Sequence, residues 1–131
     1  MSSPSPDKTR HICLAGRLLC NDWPLIQRLK AHHQVTLIER IRLLAHSTLL
    51  STSDVLILDC SSPQESGLGV VPVVKRAHPK LIMILVDGGL TQKQIASAFR
   101  QGIHDYFSEP YETNLLVERL TSLLEKESRS S

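Results

Sequence analysis

The sequence predicts a single α/β domain in which a parallel sheet is covered by helices on both faces. Two apolar runs carry most of that expectation. Val55-Leu-Ile-Leu58 and residues 81–86 contain no polar side chain, and each stops at an aspartate, Asp59 and Asp87. Strands of that kind need cover on both sides, which crossover helices supply in parallel sheets. The third observation is alternation, because stretches with helical spacing and capping residues separate the apolar runs. At 131 residues the chain has the size of one domain with one core.

In chain order, residues 11–15 form the first strand, closed by Gly16. Asp22 caps a helix on which Trp23, Ile26 and Leu29 share a face, before the break at His32-His33. Residues 35–38 form the second strand and residues 40–50 a less regular helix. After the third strand, residues 68–77 are helical, although Gly69 and Pro72 weaken the first half, since proline kinks an established helix. The fourth strand ends in Asp87-Gly88-Gly89. Thr91 and Gln94 then have capping-box spacing, with Leu90 and Ile95 placed as a hydrophobic staple. That helix turns Ile95 and Phe99 inward and stops at Gly102. Residues 105–107 make a short fifth strand. Leu116, Leu120, Leu123 and Leu124 give the last helix a continuous apolar face, with Glu118, Arg119 and Lys126 left to solvent.

Strands alternating with helices imply right-handed crossovers. The expected architecture is a flavodoxin-like (βα)5 three-layer sandwich, its parallel five-stranded sheet ordered 2-1-3-4-5. Residues 1–10 are rich in Ser and Pro and read as a disordered lead-in, residues 11–125 as the domain, and the polar residues 126–131 as a tail or the start of a linker. A site in such a sheet lies at the carboxyl ends of the strands. That edge holds Ala15, Gly16, Asp59, Asp87, Ser108 and Glu109.

Composition excludes several functions. Lys plus Arg total 15 and Asp plus Glu 13, for a net charge of +2, and the cations are scattered. A nucleic-acid surface needs a basic stripe with stacking aromatics, so no direct nucleic-acid contact is expected of this domain. Cys13, Cys20 and Cys60 have no C-x-x-C spacing and are odd in number, which argues against a disulfide framework. Cys60 lacks the C-x₅-R context of a phosphatase loop. His11, His32, His33, His46, His78 and His104 show no ligand spacing, and adjacent His32 and His33 diverge by about 100° on a helix. The glycines at 67 and 69 and at 88 and 89 lack nucleotide-loop context and read as turns. No metal or cofactor is expected. The polar N-terminus carries no signal peptide, and no apolar run approaches the roughly 20 residues that span a bilayer. The cytoplasm is the expected compartment, with no membrane contact.

The run ending in Asp59, followed by Pro63 and Gly67, resembles the receiver domains of bacterial two-component response regulators. Gly102, Tyr106, Pro110 and Tyr111 fall at that family's positions for the glycine ending the fourth helix, the switch aromatic and the Lys-Pro-aromatic turn. The resemblance covers residues 11–125. It implies that Asp59 is equivalent to the phosphoacceptor and Tyr106 to the switch aromatic.

It also marks where the chemistry fails. Receivers hold Mg²⁺ with two acids at the end of the first strand, and this ion demands hard oxygen ligands. Ala15 and Gly16 stand there. Glu109 replaces the lysine before the proline, and Asp87 replaces the phosphoryl-binding hydroxyl. An added phosphoryl group would meet two carboxylates, and like charges at ~4 Å repel by several kcal/mol at an intermediate dielectric. Ala15, Gly16, Arg17, Asp87 and Glu109 thus form a degenerate pocket.

Asp59 admits three readings: a phosphoacceptor, a cap for the following turn, or half of an ion pair. Arg17 either reaches Asp59, Asp87 or Glu109 as a fixed charge or is an ordinary surface residue. Glu65 and Asp22 are the alternative ligands that would keep phosphorylation alive. The leading reading is a non-enzymatic pseudo-receiver that contacts protein: a second copy in a weak homodimer, an attached output domain, or a signalling partner. The rivals are a working phosphoacceptor and a small-molecule sensor at the degenerate edge. Lys93, Arg100, Tyr106, Leu115, Glu118 and Arg119 form the candidate interface, with Tyr106 fixed rather than switching.

Overall fold

The computed structural model describes residues 9–46, 48–61 and 67–130. Five parallel strands, β1 (His11–Ala15), β2 (Gln34–Ile38), β3 (Val55–Asp59), β4 (Ile82–Asp87) and β5 (Asp105–Ser108), form one sheet in the order β2-β1-β3-β4-β5. This is the expected flavodoxin-like topology. The helices are α1 (Arg17–Cys20), α2 (Trp23–Lys30), α3 (Gly67–Ala77), α4 (Gln92–Arg100) and α5 (Thr113–Ser130), with 3₁₀ helices at Ile41–His46 and Thr48–Thr52.

The pleat divides the core in two. Ile12, Leu14, Val55, Ile57, Ile82, Ile84 and Val86 face α2 and α5, where Leu25, Ile26, Leu29, Leu116 and Leu120 complete the layer. Cys13, Ala15, Leu56, Leu58, Met83 and Leu85 face the other way, against Val71 and Val74 of α3, Ala98 of α4, and Ile41, Leu44 and Leu50 of the 3₁₀ helices. Consecutive residues of one strand therefore serve opposite layers, which is why β3 and β4 carry no polar residue before their closing aspartates.

Caps fix the helix starts. The Asp22 carboxylate accepts from the Leu25 amide at 3.2 Å, and Thr91 and Gln94 form the expected capping box. Helix α3 starts at Gly67 and continues through Pro72. Gly67 meets a close approach, since a Cβ there would lie 2.7 Å from the Cys60 sulfur.

Four expectations need correction. Residues 40–50 form no α-helix but part of the two 3₁₀ helices, which suffice to bury Ile41, Leu44 and Leu50. Trp23 is 59% exposed, because the buried stripe of α2 runs through Leu25, Ile26 and Leu29. On α4 the inward residue is Ala98, a rotation of one position that leaves Phe99 exposed. The polar residues 126–130 continue α5 as helix rather than leaving it as a tail. The lead-in at residues 1–8, Pro63 and Glu65 lie outside the described residues.

Candidate functional site

Asp59 ends β3 and is buried, and protein donors already occupy both of its carboxylate oxygens. One accepts from the Leu18 amide at 3.2 Å; the other accepts from the Ser61 amide at 2.9 Å and from the Ser61 hydroxyl. Neither Leu18 nor Ser61 stands out in the sequence, because the first acts only through its backbone. Gly16, at φ 110° and ψ 151°, closes over Asp59: a Cβ at this position would lie 2.5 Å from the Asp59 Cβ. The adjoining Ala15 is fully buried at the end of β1.

Asp87 also lies buried at its strand end, but on the other pleat. In the sheet Asp59 is in register with Val86, so Asp87 comes one residue later and belongs to the layer of Met83 and Leu85. Its carboxylate accepts from the Gly89 amide. Its carbonyl accepts from the Tyr106 hydroxyl at 2.8 Å and the Glu109 amide at 3.1 Å. Tyr106 is thus half-buried and tied to the sheet edge. Burial, then the Asp87 charge, raises its pKa.

Glu109 lies within electrostatic reach of both aspartates, at the start of the turn that contains the cis Glu109–Pro110 bond. Burial pushes its carboxyl up, and the charges of Asp59 and Asp87 add to the effect. The three acids interact without converging on a point. Among the described residues no group of three His, Cys, Asp or Glu side chains is placed to hold a metal ion. The Mg²⁺ of receivers does not fit here: residues 15 and 16 supply no side-chain oxygen, and Gly16 packs where a ligand would have to grow.

Neither Arg17 nor Asp22 is joined to the three acids by an ion pair or hydrogen bond among the described residues. Arg17 opens α1 as an exposed residue, and among the described residues no ion pair joins it to Asp59, Asp87 or Glu109. Asp22 caps α2 and accepts from the Tyr111 hydroxyl, whose pKa rises through burial and then this bond. That pair joins residues 89 apart in sequence, and no local pattern announces it. Cys60 has its thiol pushed up to about 12 by burial, then by Asp87 and Asp59, which disfavours the reactive thiolate.

Of the candidate interface residues, Lys93, Arg100, Leu115 and Glu118 are exposed. Arg119 is half-exposed and turns inward, its Nε donating to Asp105 at 2.6 Å. No helix among the described residues is long and apolar enough to cross a membrane.

No protein-family model matches the chain. Over 74 residues it is 34% identical to the DNA-binding transcriptional regulator NtrC of Escherichia coli K12, an alignment covering 54% of this chain and 16% of NtrC. The chain thus matches only a small part of that regulator's length. It is 27% identical over 73 residues to the transcriptional regulatory protein DcuR of the same organism, covering 56% of this chain and 30% of DcuR. Among solved structures, the response regulator DrrB of Thermotoga maritima superposes with a TM-score of 0.74 at 19% identity, over 92% of this chain and 54% of DrrB. A CheY-like receiver domain from Methanospirillum hungatei JF-1 gives a TM-score of 0.75 at 13% identity, over 95% of this chain and all of the other. The sheet order, the placement of Asp59 at the end of β3 and these likenesses agree: this chain has the fold of response-regulator receiver domains.

Proposed function

We propose that this chain is an atypical receiver-like signalling domain of a two-component response regulator, acting through protein–protein contacts without the usual Mg²⁺-dependent phosphorylation and without an enzymatic role. The observation that carries the reading is the packing of Gly16 on a hydrogen-bonded, buried Asp59. A carboxylate attacks a phosphoryl group only when the charge building on the transferred oxygens is neutralised. This edge offers Asp87 and Glu109 instead of a cation.

The contacts belong to an attached output domain, a signalling partner or a second copy. The similarity to a short part of NtrC supports an attached output domain. The exposure of Lys93 and Arg100 on α4 and of Leu115 and Glu118 on α5 leaves charges of both signs and an apolar side chain free to meet a partner. The chemistry is tested by incubating the protein with acetyl phosphate and Mg²⁺ and measuring intact mass. The expected result is no added mass. A phosphoryl adduct that disappears in Asp59→Asn would overturn the proposal.

A further inference from the structure

The sheet ends at β2, which pairs with β1 alone among the described strands. Its register shows which main-chain groups that pairing uses. The Gln34 amide donates to the Arg10 carbonyl at 2.9 Å, and the Ile38 carbonyl accepts from the Gly16 amide at 2.9 Å. Residues 34, 36 and 38 thus turn their main-chain groups toward β1, and strand alternation turns those of Val35 and Leu37 outward. The strand is also open at its side chains: Gln34 is exposed, Leu37 is 42% exposed, and only Ile38 is buried.

Proteins usually blunt such an edge with lysine, proline or a charge, because it can template pairing with another chain. Residues 34–38, Gln-Val-Thr-Leu-Ile, carry none of these. At the other end of the sheet, β5 carries Asp105, tied to Arg119.

We propose that a second copy of this chain pairs antiparallel with β2, the two strands centred on Thr36. In that register β2 is complementary to itself. Val35 of each copy comes opposite Leu37 of the other, so the outward groups of both residues find partners. Both side chains share the pleat of Leu14, which makes the same pair an apolar contact. Glu39 comes opposite His33 of the second copy, and the two Glu39 carboxylates lie roughly 20 Å apart, beyond effective repulsion. Sliding the copy by two residues sets Glu39 against Val35, or Leu37 against His33, whose amide is already bonded to the Leu29 carbonyl at 2.9 Å. The pairing involves neither the Asp59 edge nor the exposed residues of α4 and α5, so it does not rest on how those work.

Two measurements on the full chain test it. Thr36→Cys should cross-link under diamide, because residues facing each other at the centre have Cα atoms about 4.5 Å apart, within reach of a disulfide. Gln34→Cys should not, since its copies lie about 14 Å apart along the ribbon. The product is identified by mass as a peptide joined through residue 36 of both copies. In sedimentation at increasing concentration a weak dimer is expected. Leu37→Lys should weaken it about fivefold or more by setting ammonium groups on neighbouring positions, whereas Arg100→Glu should leave it unchanged. A monomer at millimolar protein, equal cross-linking at 34 and 36, or a dimer that Leu37→Lys leaves intact would each overturn the proposal. A dimer dissociated by Arg100→Glu alone would place self-association on α4 and α5, which overturns the pairing at β2 and leaves the reading of a protein-contact domain standing.

Discussion

Gly16 lies so close to Asp59 that a Cβ on the glycine would stand 2.5 Å from the aspartate's Cβ and 3.2 Å from its carboxyl carbon. The backbone at Gly16, φ 110° and ψ 151°, falls in a region that is essentially restricted to glycine. Residue 16 therefore has no room for an acidic side chain on the path that the main chain takes here.

Restoring that acid should damage the fold. Gly16→Asp combines backbone strain with overpacking against Asp59 and is expected to lower stability by about 3 kcal/mol. Urea unfolding would show this as a lower midpoint, and Mg²⁺ should not recover it. Unchanged stability, or a midpoint that rises with Mg²⁺, would mean that the loop can open into a metal site.

Arg119 and Asp105 give a second test. Both are partly exposed, at 36% and 29% of the side chain, so their 2.6 Å contact is screened by solvent. A double-mutant cycle with Arg119→Ala and Asp105→Ala should yield a coupling of about 0.5–1 kcal/mol. A coupling near zero would release Arg119 as a surface charge available to a partner. Any charge reversal meant to probe self-association through this face is cleaner at Arg100, which has no such intramolecular role among the described residues.

The fold was legible because its signals are local and redundant. The apolar runs at 55–58 and 81–86 are too continuous for half-exposed strands, and their parity assigns each residue to a layer. The capping box at Thr91 and Gln94 and the apolar face of α5 need only neighbours three or four residues away. What the sequence hid depends on distance or on small rotations. Phe99 and Ala98 differ by one position on a helix, and only the sheet beneath decides which turns inward. Residues 40–50 carry apolar spacing compatible with either helix type, and packing settles it. At the site, the residue identities gave an expectation only: Ala15 and Gly16 where receivers carry metal-binding acids, Asp87 in place of the hydroxyl and Glu109 in place of the lysine. They did not reveal that Asp59 and Asp87 occupy opposite pleats, which follows from the register of β3 with β4. The link between Asp22 and Tyr111 joins two ends of the chain and leaves no periodic trace.

The last prediction concerns pH. Glu109 is held above the ordinary glutamate value by burial first and by Asp59 and Asp87 next, and no cation among the described residues offsets them. The tyrosines nearby, Tyr106 and Tyr111, add no positive charge; their pKa values are raised by burial first, with Glu109 a smaller contribution. A raised carboxyl pKa means that the folded chain binds the proton more tightly than the unfolded chain. The associated stability is fully present below the unfolded value, near 4.5, and is lost as pH rises through the higher folded value. Above that window the ionised Glu109 opposes folding. Glu109→Gln removes the charge while keeping the shape, so it should flatten this part of the stability profile and make the protein more stable at neutral pH. Urea midpoints for both proteins, measured from acid to neutral pH, check the sign. If the variant keeps the native slope, or is less stable at neutral pH, then ionised Glu109 is compensated in the folded chain, and the carboxyl edge is not the anion-repelling surface described for it.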